Sequence, residues 1–286
     1  MLKIFKTPNL IILAFSLMVS SCVNLKTVND ISSNSFKGIQ NYDNLNYTFT
    51  KHCLDNCDIQ RLSATTIQRA EAIQCDCDDF KKADKATSNI YQALSGYFEN
   101  LQTLSNNELS NYKFDNLKKA LTEGNFASVT INKTDVEAYS KIATIFSRAF
   151  TDGYRKKHIK QYIEQSNEPI QTLVKAFQVI LNENLKGLLV NKKNDLYREY
   201  EIILRDEKMS KFEKAKVVEV YYQKIQEVNS KQKQLENYSE GLSKISEAHQ
   251  QLFDNRDKMK DKDILSSLFT TSNDIKSIIS EFKKIK

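Results

Sequence analysis

Residues 210–254 decide the fold of this chain; they read SKFEKAKVVEVYYQKIQEVNSKQKQLENYSEGLSKISEAHQQLFD. Ser210 and Glu213 have the spacing of a capping box, in which each side chain bonds the other's backbone N–H, so a helix is predicted to begin here. Gln232 and Ser239 interrupt the apolar stripe that follows, and they either set the register or line a wet groove. The stripe has near-heptad spacing, typical of a long helix packed against other helices: Val218, Tyr221, Ile225, Val228, Leu235, Leu242, Ile245 and Leu252.

Two further long helices are predicted beside this one. Pro169 suits the first turn of a helix, and the stripe after it runs through Leu173, Phe177, Ile180, Leu185, Leu188, Leu196, Tyr200 and Ile203. A final helix is predicted from Leu265, Leu268, Ile275, Ile279 and Phe282. The sequence therefore predicts an all-α fold, an antiparallel helical bundle with long coiled-coil-like helices.

The bundle is predicted to cover residues 78–286, with a subdivision near 166. Asp78 and Asp79 place negative charge at a helix start, and a seam follows at Phe80, Ala83, Thr87, Ile90, Leu94, Tyr97, Leu101 and Leu104. Thr134 and Glu137 have capping-box spacing and are predicted to open a helix that continues to Tyr162. The chain has six Gly and two Pro, so few turns are expected.

A two-stranded β patch is predicted near the start of the folded part. Residues 47–50 alternate in polarity, and Ala127, Val129 and Ile131 alternate in the same way. The two segments are expected to pair.

The first 22 residues carry an export pattern. Lys3 and Lys6 precede a short apolar run that ends in Val19-Ser20-Ser21-Cys22. About ten apolar residues are too few to cross a bilayer, so the run indicates a secretory signal. The pattern resembles the signal peptide and lipobox of bacterial lipoproteins. That resemblance implies that residues 1–21 are removed and that Cys22 is acylated, with several chains holding the protein at a membrane. Ordinary secretion with a free Cys22 thiol is the alternative.

Residues 22–46 are predicted to be the lipidated cysteine and a flexible tether, because Asn, Ser and Thr dominate and no apolar period emerges. Residues 23–27 contain no acidic cluster, which some Bacteroidota lipoproteins carry as a surface-export signal. The expected location is therefore the outer membrane, facing the periplasm. The membrane, through acylated Cys22, and an unknown envelope protein are the expected partners.

A cysteine-stapled entry segment is predicted over residues 47–77. Cys53 and Cys57 have three residues between them, and Cys75 and Cys77 have one. An even number of cysteines in an exported chain indicates two disulfides. Pairing Cys53 with Cys77 and Cys57 with Cys75 is favoured, because two segments folded back antiparallel bring their near and far ends together. The crossed pairing is the alternative.

A zinc site and a redox site are two functional interpretations of the cysteines, and both are less favoured than two structural disulfides. A zinc site is disfavoured because ligand pairs usually have two to four residues between them, whereas Cys75 and Cys77 have one. A redox site lacks the two-residue spacing of thioredoxin-type motifs, although His52 beside Cys53 could lower its pKa. Haem attachment is excluded because neither pair is followed by His at the needed spacing. No metal or cofactor is predicted.

Charge excludes nucleic acid as a partner. The net charge of +6 falls to +4 without residues 1–21, because 42 − 2 = 40 basic residues remain against 36 acidic ones. Lys and Glu interleave along the predicted helices, which is typical of solvated faces rather than of a basic patch.

No catalytic motif is found, so an enzyme is disfavoured. His158 and His249 are far apart and are expected to be surface or rim residues. The leading hypothesis is a lipid-anchored envelope protein with a non-catalytic binding or scaffolding role. The alternatives are a periplasmic immunity-type inhibitor or ligand-capture module, and a thiol/disulfide-active envelope protein.

Overall fold

The computed structural model describes residues 24–62, 64, 66–106, 121–151 and 155–284. Over these ranges the chain is an all-α bundle with one small antiparallel β-hairpin, which confirms the predicted fold class. A 3₁₀ turn (Gln40–Asn44) follows the first helix, and a π-helical segment (Ile180–Leu185) joins the sixth to the seventh. The helices are α1 (Leu25–Ile39), α2 (Phe49–Leu62), α3 (Ile67–Ala72), α4 (Asp78–Ser105), α5 (Lys133–Thr151), α6 (Arg155–Val179), α7 (Lys186–Leu204), α8 (Lys211–Asp254) and α9 (Lys262–Lys284).

Helix α8 is the longest element, with 44 residues, and begins with the predicted capping box. The Glu213 N–H donates to Ser210 Oγ at 3.2 Å, and the Ser210 N–H donates to Glu213 Oε2 at 2.7 Å. From Val228 onward the predicted stripe is buried, but residues 211–227 contain no buried side chain. The helix therefore has a core half and a protruding half.

Helix α6 and the π-helical segment pack antiparallel against α8. The Gln178 amide donates to the Ser239 carbonyl at 3.1 Å, and the Asn182 amide donates to Ser239 Oγ at 2.7 Å. Two helical turns earlier in α6, the Gln171 amide donates to the Ser246 carbonyl at 3.0 Å. Ser239 therefore sets the register between α8 and α6, the first of the two roles predicted for it, rather than lining a wet groove.

The flexible tether predicted for residues 22–46 is wrong from Leu25 onward, where α1 and the 3₁₀ turn form. Asn24 Oδ1 accepts from the Thr27 N–H at 3.2 Å and caps α1. The residues that α1 buries against the core recur at helical spacing: Val28, Ile31, Ser32, Ser35, Gly38 and Ile39. Three of these six residues, Ser32, Ser35 and Gly38, are small or polar, so the sequence shows no helical period of apolar residues here. The Ser32 hydroxyl donates a hydrogen bond to the Val28 carbonyl at 2.7 Å, and this bond permits the burial of Ser32.

Pro169 does not open a helix, as was predicted, but lies within α6. Proline removes one backbone hydrogen bond, yet the helix continues because Ile163, Ile170 and Phe177 on both sides of it are fully buried. Helix α6 begins earlier, at Arg155. The predicted subdivision near 166 falls inside α6 and does not match an element boundary.

The β patch exists, but one predicted strand is wrong. Residues 129–131 pair with 124–126 in a local hairpin, with Phe126 opposite Val129. Residues 47–50 instead lead into α2, because the Asp84 carboxylate on α4 accepts the Phe49 and Thr50 N–H groups at 2.8 and 2.9 Å and so caps that helix.

The capping box predicted at Thr134 and Glu137 is displaced by two residues. Asn132 Oδ1 accepts from the Asp135 N–H at 3.0 Å, and Asp135 Oδ2 accepts from the Asn132 N–H at 3.1 Å. Helix α5 therefore begins at Lys133.

Candidate binding surface

Two disulfides fasten the entry segment to one side of α2. Cys53 is joined to Cys77 and Cys57 to Cys75, with Cα separations of 5.8 and 5.9 Å. This is the nested pairing that the sequence favoured. Since Cys53 and Cys57 lie one turn apart, the disulfides hold the strand-like residues before α4 along α2. His52, considered as an activator of Cys53, is buried and bonds the Tyr47 hydroxyl through Nδ1 at 3.0 Å.

The Asp55 carboxylate on α2 forms a half-buried ion pair with α7. Lys192 Nζ donates to Asp55 Oδ2 at 2.7 Å, and Lys51 Nζ bonds Oδ1 at 2.5 Å. Burial alone would raise the pKa of Asp55, but the two lysines outweigh burial and hold this pKa below its usual value. The pair therefore ties the disulfide-braced α2 to α7 in its charged form.

Helices α2, α7 and α8 enclose a groove, which we call the basal groove, with a cavity volume of about 460 Å³. Buried side chains of Tyr47, Ile59, Leu189, Leu196, Tyr200 and Val228 give it an apolar lining. Its charged lining residues are Lys51, Asp55, Asp58, Lys192, Lys224, Glu227 and Lys231. The size and the mixture of apolar walls with a few charged groups are typical of a ligand site.

Lys231 is distinct among the four lysines of the basal groove. Lys51 and Lys192 pair with Asp55, and Lys224 pairs with Glu227 at 3.2 Å. Lys231 Nζ instead donates to the Leu45 carbonyl at 2.9 Å and to Gln234 Oε1 at 3.1 Å. No carboxylate of the described chain lies within ion-pair distance of it, and burial lowers its pKa.

A two-helix hairpin, which we call the distal arm, extends from the basal groove. It comprises residues 197–222, the end of α7 and the beginning of α8. Residues 211–227, about 25 Å of helix, contain no fully buried side chain, and only Val217, Tyr221 and Ile225 pack partly buried against the core. The rings of Tyr200 and Tyr221 meet across the hairpin at 5.6 Å, and the ring of Tyr222 lies 5.2 Å from that of Tyr221.

The distal arm exposes apolar side chains at an unusual density. Of the twelve large hydrophobic side chains that the described residues expose, six belong to the arm: Tyr197, Ile202, Phe212, Val218, Val220 and Tyr222. Phe212 is 71% exposed and Tyr222 is 59% exposed. Concentrated exposed apolar surface marks interaction sites more often than chance exposure does.

The other predicted site residues lie elsewhere. Cys22 is outside the described residues. His158 is partly exposed, near Gln161, in keeping with a rim position. The prediction for His249 is wrong, because this side chain is fully buried and bonds Tyr97 and Asn167 from α4 and α6. Those partners are far away in sequence, so no local spacing could reveal them.

The distal arm and the unpaired position of Lys231 within the described chain were not predicted from the sequence. A signal for the arm was present, since Phe212, Val220 and Tyr222 are apolar yet fall off the near-heptad stripe. No local pattern marks Lys231, because its lack of a counter-ion depends on the packing of three separate helices.

Comparisons with protein-family models, curated proteins and solved structures gave no match for this chain. Among the described helices, none has the length and apolar content needed to span a membrane. The described residues also contain no group of three or more His, Cys, Asp or Glu side chains placed to hold a metal ion.

Proposed function

We propose that this protein is a lipid-anchored envelope protein that binds a partner protein through the distal arm, without a catalytic role. The observation that carries the proposal is the concentration of exposed apolar side chains on a hairpin whose α8 half contains no buried side chain. Aromatic residues, Tyr above all, are enriched at the centres of protein interfaces. The arm carries Tyr197 and Tyr222 in exposed positions and Phe212 at its tip.

Support for the anchor comes from the sequence around Cys22. A basic start, a short apolar run and Val19-Ser20-Ser21-Cys22 match the lipoprotein pattern at each position. More than one acyl chain on Cys22 would make attachment stable. The expected location is the periplasmic face of an outer membrane. Since α1 begins at Leu25, only a very short link would separate the lipid from the folded bundle.

The architecture also supports presentation of the arm. The core half of α8 is clamped by α6 through the Gln171 and Gln178 bonds, and α2 is braced by two disulfides and the Asp55 to Lys192 pair. A rigid base holds a protruding hairpin in one orientation. This preorganisation lowers the entropic cost of binding.

Affinity capture with matched variants tests this function. The native protein and the double variant Phe212→Ser/Tyr222→Ser are each captured from their own envelope, and co-purified proteins are quantified. The control is Phe269→Ser, which removes an exposed aromatic side chain from α9, outside the arm. We expect one partner to be retained by the native protein and the control and lost by the double variant. Retention of every co-purified protein by a folded double variant would refute the proposal.

A further inference from the structure

The basal groove has a direction. Lys231 Nζ bonds the Leu45 carbonyl, just before α2 begins, whereas Leu62 is the last residue of α2. Lys231 and Lys224 are seven residues apart on α8, which corresponds to about 10 Å. The groove therefore runs along the three helices from a cationic end at Lys231 towards Leu62.

The charges of the groove favour a ligand with a single negative charge. Three of its four lysines already pair with Asp55 or Glu227, and four lysines against Asp55, Asp58 and Glu227 leave the lining a net charge of 4 − 3 = +1. Lys231 has two hydrogen-bond acceptors but no counter-ion in the described chain, and an ammonium group has a third N–H to donate. A polyanion such as a phosphate-rich lipid head group would meet Asp55, Asp58 and Glu227 beside only one unpaired cation.

The volume favours a slender chain over a helix. One turn of a helix 10 Å in diameter occupies about 420 Å³, nearly the whole cavity of about 460 Å³. An extended hydrocarbon chain is thinner and can run from Lys231 to Leu62, whose apolar side chain lines the groove and is 43% exposed. Such a chain gains free energy in proportion to the apolar area that it buries.

We propose that the basal groove binds an acyl-chain carboxylate, with the carboxylate on the ammonium group of Lys231 and the chain running towards Leu62. This ligand site shares Tyr200 with the distal arm but does not depend on the function proposed for the arm. The recognition is non-covalent, combining a charge-assisted hydrogen bond with burial of the chain.

Titration with dodecanoate, below its micellar concentration, tests the proposal. The protein is the full mature chain with Cys22→Ser, so that no acyl chain of its own competes, in its disulfide-bonded form. Isothermal titration calorimetry gives the affinity, and amide NMR shifts locate the ligand. We expect binding with one-to-one stoichiometry and shifts centred on the groove. Dodecyltrimethylammonium, with an equally long chain and the opposite charge, should not bind.

Variants of Lys231 separate the ion pair from general apolar binding. Lys231→Met is expected to weaken dodecanoate binding roughly tenfold or more, and Lys231→Arg to retain it. Lys233→Met is the matched control, because Lys233 is an exposed lysine two residues away. Thermal unfolding verifies that each variant is folded. The arm variant Phe212→Ser/Tyr222→Ser should bind dodecanoate normally, whatever its effect on partner binding.

Three results would overturn the proposal. They are no dodecanoate binding to the folded protein, equal affinity for the cationic analogue, and unchanged affinity in Lys231→Met. Shifts of groove residues with an acidic peptide but not with dodecanoate would identify a peptide groove instead.

Discussion

His249 Nε2 on α8 lies 2.5 Å from the hydroxyl oxygen of Tyr97 on α4, and both side chains are buried. The Asn167 amide N–H donates to Gln250 Oε1 at 2.8 Å, so Asn167 Oδ1 faces His249 Nδ1 at 2.9 Å and accepts a hydrogen bond from its N–H. His249 is therefore neutral with the proton on Nδ1, and Nε2 accepts from Tyr97. Ser166 Oγ lies 2.7 Å from the same Tyr97 oxygen. This network joins three helices in the middle of the bundle.

Acid is expected to destabilise the protein through His249. Burial lowers the pKa of His249 to about 3 from 6.5, so the unfolded chain binds a proton that the folded chain does not as the pH falls from about 6.5 to about 3. The free energy of unfolding should fall over that window, by on the order of 4 kcal/mol in total. His52, whose pKa is lowered by burial and by Lys192, acts in the same direction.

Denaturant unfolding across this pH range measures the effect. His249→Gln should be less stable at pH 7 but should show a flatter pH dependence than the native protein. His158→Gln, at a partly exposed histidine, should keep the native dependence. An equally steep loss of stability in acid for His249→Gln would show that other groups are responsible.

Each disulfide is expected to stabilise the fold by about 3 kcal/mol, from the entropy of closing a loop of this length. The Cys53–Cys77 disulfide joins residues 24 positions apart, and the Cys57–Cys75 disulfide joins residues 18 positions apart. The double variants Cys53→Ser/Cys77→Ser and Cys57→Ser/Cys75→Ser should each lose about that amount in denaturant unfolding. Replacing a single cysteine of either pair should instead yield one free thiol that an alkylating reagent labels. Native stability in either paired variant would contradict the bracing role of that link.

Replacement by alanine at two helical glycines should change the free energy of unfolding in opposite directions. A Cβ at Gly38 on α1 would lie 2.9 Å from Ile245 Cδ1 in the core, whereas a Cβ at Gly187 on α7 would meet nothing within 4 Å. Gly38→Ala is expected to lower the free energy of unfolding by about 1 kcal/mol through overpacking. Gly187→Ala should raise it by about 0.5–1 kcal/mol through the smaller entropy of the unfolded chain. Thermal unfolding distinguishes them, and stabilisation by both would show that α1 does not pack tightly here.

The parts of the fold that the sequence predicted are those with a strong local pattern. The capping box at Ser210 and the regular apolar stripes of α4, α8 and α9 carry their information within a few turns. Helix α1 was missed because Ser32, Ser35 and Gly38 take positions that are apolar in an ordinary stripe. Small residues there allow close helix packing, which only the tertiary structure reveals.

Long-range packing explains the other errors. Pro169 reads locally as a helix start, yet burial of its neighbours carries α6 through it. The role of His249 depends on Tyr97 and Asn167, which are 152 and 82 positions away. The disulfide pairing was accessible because two short segments folded back leave few arrangements. Phe212, Val220 and Tyr222 fall off the apolar stripe and so signal the distal arm, but the extent of the arm depends on which half of α8 is buried.

Membrane attachment is expected to depend on Cys22. Cys22→Ser should leave the protein unacylated and in the soluble fraction of broken cells, because one cysteine would carry all the acyl chains. Ser21→Ala keeps a small residue at the cleavage site and should remain in the membrane fraction. Fractionation with an alkaline wash, together with intact mass, makes the measurement. Continued membrane attachment of Cys22→Ser would refute the lipid anchor.

The central claim, that the distal arm is the surface that binds a partner protein, is tested most directly by photocrosslinking in living cells. A photoreactive amino acid is placed at Tyr222 in the arm or at Phe269 on α9, two aromatic positions of similar exposure at 59% and 61%. We predict one defined protein adduct from position 222 and none of that mass from position 269. The same adduct from both positions, or none from position 222 in a folded protein at native abundance, would contradict the claim.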